Sequence, residues 1–196
     1  ERGLKETIYE EAERLGRLVT NLLDMTRLES GAVALGAEWH SLEEIVGGAL
    51  ARVEGRRRGR QIEVGIPADL PLVRADAVLL EQVLVNLLDN ALTHGEAATP
   101  IRVSAASSAR EVTVEVADDG PGLPPGTEER AFEKFYRGGA RPRGFGLGLP
   151  ICRAIVGAHG GRIWAQNLSP RGVSLRFTLP VGEAPPPAVE ADGDAA

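Results

Sequence analysis

The chain has 196 residues, 28 of them acidic against 22 basic, and a formal net charge of −6, which argues against a general attraction to nucleic acid or anionic lipid. Hydrophobic residues make up 43% and charged residues 26%, the balance of a soluble globular domain with room for a core and an appendage. No apolar run reaches the roughly 18 residues of a membrane span, and no signal peptide is visible.

Cys152 is the single cysteine, which excludes an internal disulfide and a cysteine-based zinc knuckle and fits a reducing, cytoplasmic setting. His40, His94 and His159 show no metal-ligand spacing. The first residue is Glu1 rather than Met, so the chain is expected to be a piece of a longer protein.

Residues 1 to about 30 predict one amphipathic helix. Leu15, Leu18, Leu22 and Met25 recur at three- and four-residue steps, and Gly31 follows as a stop. So broad an apolar seam calls for a partner helix, the alternative being a helix folded back on its own domain. A short strand at 38–40 leads to a helix capped by Ser41, with Glu44 completing a capping box. The stretch Arg56-Arg57-Arg58-Gly59-Arg60 lacks interleaved aromatics and is expected to be a solvated loop. Residues 61–66 alternate as a strand, and 67–71 form a turn-rich connector. Asp76 caps a strong helix reaching His94, and strands at 101–106 and 111–117 form a hairpin. After a Gly- and Pro-rich stretch from 118 to 148, a helix at 150–158 carries Pro150 in its first turn and ends at His159-Gly160-Gly161. Strands at 162–167 and 173–179 close the domain, and the tail from 182 is expected to be disordered. The mixture predicts an α/β (α+β) two-layer sandwich, a mixed sheet with helices on one face.

Four segments carry chemistry. In the helix 76–94, Leu80, Leu84, Leu87, Leu88 and Ala91 form a core stripe, while Asn86, Asn90, Thr93 and His94 share a polar face. Amide oxygens at i and i+4 suit a hard cation such as magnesium, and two merely exposed asparagines fit the pattern equally well. Asp118-Asp119-Gly120-Pro121-Gly122 places a carboxylate at a strand end before glycines, suited to a flat ligand or to a plain turn. Gly144-Phe145-Gly146-Leu147-Gly148-Leu149 opens the last helix, where glycines expose N–H groups to phosphate. It matches neither a dinucleotide fingerprint nor a Walker A loop. Phe132 and Phe135 are expected to anchor a lid from which Arg137 or Arg143 reaches a phosphate.

The order of these four pieces resembles the catalytic domain of sensor histidine kinases, in the wider ATPase superfamily that includes gyrase, over about residues 36 to 181. The run Asn21-Leu22-Leu23-Asp24-Met25-Thr26-Arg27-Leu28-Glu29-Ser30-Gly31 is similar to the second helix of the dimerisation and phosphotransfer domain in Kdp-type potassium sensor kinases, which assigns residues 1–32 to that partial domain. The resemblance implies a Bergerat ATP-binding fold and the cofactors ATP and Mg2+. It makes Asn90 the metal ligand, with Asn86 beside it where hydrolytic relatives hold a glutamate base, both being the catalytic positions. Asp118 accepts from the adenine amino group, with Gly120 and Gly122 permitting close approach. Gly144, Gly146, Leu147, Gly148 and Leu149 form the lid hinge and phosphate contacts.

Two departures stand out: Thr93-His94 replaces the family's usual basic–aromatic pair, leaving His94 either to stack on the base or to stand as an exposed helix-end histidine, and Pro150 replaces a common alanine. The family's acceptor histidine lies on a helix before the one that starts this chain, so this chain is expected to bind Mg–ATP without phosphorylating itself. Its implied partners are the rest of its own kinase, a response regulator and, in the full protein, a second copy; nucleic acid is not among them. The parent is expected to be membrane-anchored, with this part cytoplasmic. The rival readings are a nucleotide-sensing or dimerisation module and an anti-sigma-type serine kinase.

Overall fold

Period-two alternation of valines and leucines with polar residues builds one sheet in the computed structural model, which describes residues 35–57, 59–136 and 146–182 and the isolated positions 16, 23 and 26. In chain order the elements are β1 (Glu38–His40), α1 (Leu42–Val53), β2 (Ile62–Gly65), β3 (Val73–Ala75), α2 (Ala77–His94), β4 (Ile101–Ser107), β5 (Glu111–Asp118), α3 (Gly148–Ala158), β6 (Ile163–Asn167) and β7 (Val173–Pro180). The main sheet has the order β2-β4-β5-β7-β6. β2 runs parallel to β4 and the other neighbours are antiparallel. β1 and β3 pair separately, antiparallel.

Alternation decides the faces. Val112, Val114 and Val116 of β5 and Leu175, Phe177 and Leu179 of β7 are buried in the core. Against them lie α2, through Leu80, Leu84, Leu87 and Leu88, and α3, through Ile151, Ile155 and Val156. α1 packs on α2 with Ile45, Val46 and Ala49. Each such side chain removed from water contributes about 1.5–3 kcal/mol. The opposite sheet face is polar: Glu115 accepts from Arg176 Nε at 2.9 Å, from Ser104 Oγ at 3.3 Å and from Ser174 Oγ. The fold is thus the expected two-layer sandwich.

Several expectations change. β3 lies between the expected connector at 67–71 and the cap at Asp76, where no element was expected; at three residues it is too short to alternate visibly. Ser41 holds the N-cap position of α1 but makes no side-chain cap bond, so the capping box does not form. α3 starts at Gly148, two residues before the expected start, which leaves Pro150 within the first turn. The basic stretch is not wholly solvated: Arg60 is 7% exposed and Arg56 pairs with Asp89 at 2.7 Å. His159 ends α3 as expected and also accepts the Asp76 N–H on Nε2 at 3.0 Å, tying the end of α3 to the start of α2. Positions 16, 23 and 26 are helical; the remaining expectations for residues 1–34 and the tail beyond 182 lie outside the described residues.

Candidate functional site

The site begins with α2, whose start is fixed by its cap. Asp76 Oδ1 accepts from Leu79 N at 3.2 Å, and Oδ2 accepts from Gly36 N at 3.3 Å. With the leucine stripe buried, the helix must turn Asn86 and Asn90 away from the core, and both are half-buried. Thr93 and His94, one turn on, are exposed. The N-terminus of α3 faces Asn86: a Cβ on Gly148 would stand 4.0 Å from Asn86 Cγ. Asn86 Nδ2 is buried without a hydrogen-bond partner. Cys152 lies beneath it, its Sγ directed to Val83 O at 3.7 Å. Burial pushes that thiol up to about 12, with the Asn86 amide pulling the other way; the thiol is inert ballast rather than a nucleophile. Leu147 is the N-cap of α3 and offers no side-chain acceptor. The N–H groups of the first turn, orphaned in any helix, are therefore left for an external anion.

The second part is the turn after β5. Asp118 ends that strand opposite Val173 and is 4% exposed. Its Oδ1 accepts from Gly120 N at 2.7 Å. Burial raises its carboxyl above the usual range, and the Gly120 N–H and the Arg60 charge oppose that rise. Asp119 points the other way, into a bidentate pair with Arg102 at 2.8 and 3.2 Å that lowers its carboxyl. Gly120 is wedged against the end of α2, where a Cβ would stand 2.7 Å from His94 O and 2.9 Å from Gly95 Cα. Gly122 has φ +76°, and a Cβ there would meet Asn167 Oδ1 at 2.7 Å. Asn167 then clamps the next residue: Oδ1 accepts from Leu123 N at 2.7 Å, and Nδ2 donates to Leu123 O at 2.9 Å and Glu128 Oε1 at 3.1 Å.

The third part is the approach to α3. Phe132 is buried in the 3-10 turn Arg130–Phe132, with the Arg153 guanidinium 4.6 Å from its ring centre. Phe135 is 63% exposed, with φ +65°; only one of the two phenylalanines is therefore an anchor. Phe135 N donates to Gly146 O at 2.9 Å, and Gly146, at φ +68°, packs on Tyr136 O. Arg137, Arg143 and Gly144 lie outside the described residues.

The structure thus brings Asn86, Gly148 and Leu149 together at the head of α3, and His94, Asp118 and Gly120 together at the tail of α2. Sequence reading missed Arg60 and Asn167. Arg60 sat inside a run of similar residues, and Asn167 at a strand end had no pattern to mark it.

Residues 75–183 match the family described as histidine kinase-, DNA gyrase B-, and HSP90-like ATPase. The chain belongs to this ATPase family. Over 171 residues it is 46% identical to Sensor protein KdpD of Escherichia coli (strain K12), covering 86% of this chain and 19% of that protein. It is 36% identical over 177 residues to Sensor protein KdpD of Clostridium acetobutylicum, covering 88% of this chain and 20% of that one. The chain therefore spans about a fifth of the length of these relatives. Full-length ShkA, solved in complex with AMPPNP, superposes with a TM-score of 0.80 at 26% identity, over 94% of this chain and 40% of that one. The matched region is the ATP-binding catalytic domain of this ATPase family, in the Bergerat fold, and the relatives with which the chain aligns are sensor histidine kinases. Among the described residues no helix is long and apolar enough to cross a membrane. None of these residues forms a cluster of three or more His, Cys, Asp or Glu able to hold a metal.

Proposed function

We propose that this chain is the ATP-binding catalytic part of a sensor histidine kinase that passes the γ-phosphoryl of ATP to a histidine this chain does not carry. The observation that carries the reading is the placement of two complementary ends along one helix. The buried Asp118 turn sits at the tail of α2, and the uncapped head of α3 sits beside Asn86 about two turns earlier. A flat base with a donor amino group suits the first end, and a polyphosphate suits the second. Asp118 reads the adenine amino group, with Gly120 and Gly122 allowing the backbone to approach the ring. Gly146, Leu147, Gly148 and Leu149 present N–H groups to phosphate, with Arg137, Arg143 and Gly144 completing that lid. His94 stacks at the open edge of the base.

Asn90 is the residue that would hold a magnesium ion. The donor set fits, because Asn86 and Asn90 offer neutral amide oxygens on one face, and Asn86 Nδ2, buried without a partner, can donate to a phosphate or water oxygen. The metal, when bound, supplies neutralisation of phosphate charge. An amide at Asn86 cannot act as a general base toward water, which favours transfer to a protein acceptor over hydrolysis. Catalysis rests on positioning and charge neutralisation.

Residues 1–32 belong to part of a dimerisation and histidine-phosphotransfer domain, in keeping with helical positions 16, 23 and 26. The partners are the acceptor helix of the same kinase, a second copy and a response regulator, with this part on the cytoplasmic side of a membrane-anchored parent. Calorimetric titration with ATP, with and without magnesium, beside Asp118→Asn tests the site. Binding that strengthens with magnesium and collapses in the variant is expected. The transfer step is tested by supplying a dimerisation domain that carries an acceptor histidine. ATP binding without phosphorylation of that domain would sink the kinase reading and leave a nucleotide-sensing module.

A further inference from the structure

Arg60 and Asp118 are the two charged residues buried among the described residues, at 7% and 4% exposure. They lie on either side of the same pair of glycines. On one side, a Cβ on Gly95 would stand 2.5 and 2.7 Å from Arg60 Nη2 and Nη1. On the other, a Cβ on Gly120 would stand 2.9 Å from Gly95 Cα and 2.6 Å from Asp118 Oδ1. The absence of side chains at both glycines lets a cation and a carboxylate approach through a single layer of backbone.

The hydrogen bonds of Arg60 do not account for its charge. Nη1 donates to Ala91 O at 2.6 Å and Nε to Thr99 O at 2.9 Å, both neutral acceptors. Ala91 O already accepts from Gly95 N at 2.8 Å, so the end of α2 is closed without it. Nη2 is buried with no hydrogen-bond partner. A buried cation is costly unless an opposite charge compensates it. Burial lowers the Arg60 guanidinium, and Asp118, then Asp119, pull it back up. Asp119 is already committed to Arg102, which leaves Asp118 as the counter-charge without an ion pair of its own.

We propose that Arg60 is a positioning residue that sets base selectivity: its fixed charge behind the tail of α2 holds Asp118 as a carboxylate, so that the site accepts a 6-amino purine and rejects a 6-oxo purine. The inference rests on the reading of Asp118 as the base acceptor. An ionised carboxylate can only accept, whereas a protonated one can also donate, to a carbonyl oxygen such as that of guanine or hypoxanthine. The other groups facing Asp118 are Asp119 on its own turn and His94 from α2. Arg171, from the turn before β7, donates to Asp119 O and pairs with Glu96. The strand opposite contributes only apolar Val173.

The test is calorimetric titration of the full 196-residue chain with Mg–ATP and Mg–GTP from pH 5.5 to 8.5, in wild type, Arg60→Gln, Arg60→Lys and Asp118→Asn. Dividing each variant by wild type at the same pH cancels the titration of the nucleotide. Neutralising Arg60 raises the pH at which Asp118 takes a proton. ATP affinity of Arg60→Gln is therefore expected to fall on the order of tenfold at the acid end and recover toward pH 8.5. The preference for ATP over GTP should narrow over the same range. Arg60→Lys keeps the charge and should keep the wild-type profile and preference even if it melts lower. Arg60→Met supplies a second neutral side chain of similar reach should the glutamine variant not fold. A loss of the same factor at every pH with unchanged base preference would overturn the proposal and reduce Arg60 to a brace for α2. So would a lysine variant that follows the glutamine one. If Asp118→Asn binds ATP as wild type does, the base reading itself is wrong, and that failure is visible independently of Arg60.

Discussion

Gly120→Ala tests whether the tail of α2 and the Asp118 turn form one rigid floor. Gly120 has no positive φ, so alanine can adopt its backbone and the cost is steric alone. The new methyl would stand 2.6 Å from Asp118 Oδ1, 2.7 Å from His94 O and 2.9 Å from Gly95 Cα. Two of these are backbone atoms that no rotamer change can move, so the turn and the helix end must separate. Overpacking of this kind costs about 1–3 kcal/mol. Weakening the 2.7 Å bond from Gly120 N to the buried carboxylate adds about 1.5–3 kcal/mol. A total of roughly 3–5 kcal/mol corresponds to a fall in Tm on the order of 10 °C for a domain of this size. Thermal melts read the stability, and ATP titration reads the site, where a loss of at least about tenfold follows from moving the acceptor relative to the phosphate end. Gly126→Ala is the control. Gly126 has φ +79° with nothing within 4 Å of a Cβ, so alanine there costs only the backbone penalty of about 1–2 kcal/mol and leaves ATP affinity unchanged. A Gly120→Ala protein melting within a degree or two of wild type with wild-type affinity would refute the account of the floor.

Asn167→Ala removes the clamp on Leu123 and the contact to Glu128, so a loss of roughly 2 kcal/mol in urea unfolding is expected, with weaker ATP binding; a neutral result would make the clamp decorative. Asn90→Ala should abolish the magnesium dependence of ATP affinity while leaving metal-free binding near wild type, read by paired titrations. In the nucleotide-free protein Asp118→Asn is expected to raise stability at pH 7. A carboxyl held above its unfolded value of 3.8 makes the folded state bind more protons in that window, so wild-type stability falls as pH rises through it. The advantage of the variant should vanish below the unfolded value, and melts of the pair from pH 3 to pH 8 check the sign.

The fold was legible because its long elements carry strong patterns. The leucine stripe of α2 and the alternation of β5 and β7 each leave one solution for which face is buried. β3 was invisible at three residues, and the head of α3 was misplaced because proline marks a first turn without saying which of its positions it fills. At the site, residue types with restricted chemistry were readable: a carboxylate before glycines, amides on a leucine helix, glycines before a helix. Arg60 was not, since its burial depends on a contact with Ala91 and Thr99, 31 and 39 residues away. A basic run looks the same whether one member is buried or none. Asn167 likewise acts on Leu123 across 44 residues, and nothing local distinguishes it from a strand-end asparagine facing water.

These missed residues share a role that patterns do not encode: they hold other groups in place. On the proposed reading Asp118 serves a base as a buried carboxylate, and burial is what penalises that form. The floor around it is therefore costly in the nucleotide-free protein, with a desolvated charge on one side, a desolvated guanidinium on the other and two glycines between them. A ligand that hydrogen-bonds the carboxylate offsets that cost only in the folded state. Saturation at a hundred times Kd adds about 2.7 kcal/mol. The same residues that make the empty domain less stable than its core would allow thus make its stability respond to nucleotide. The tail of α2, where Gly95, Gly120, Arg60 and Asp118 meet, is where that response should be concentrated. Amide exchange in Leu92–Gly95 should slow on adding ATP by a larger factor than in Leu80–Leu84 at the core of the same helix. Equal slowing along α2 would mean that nucleotide stabilises the domain only as a whole.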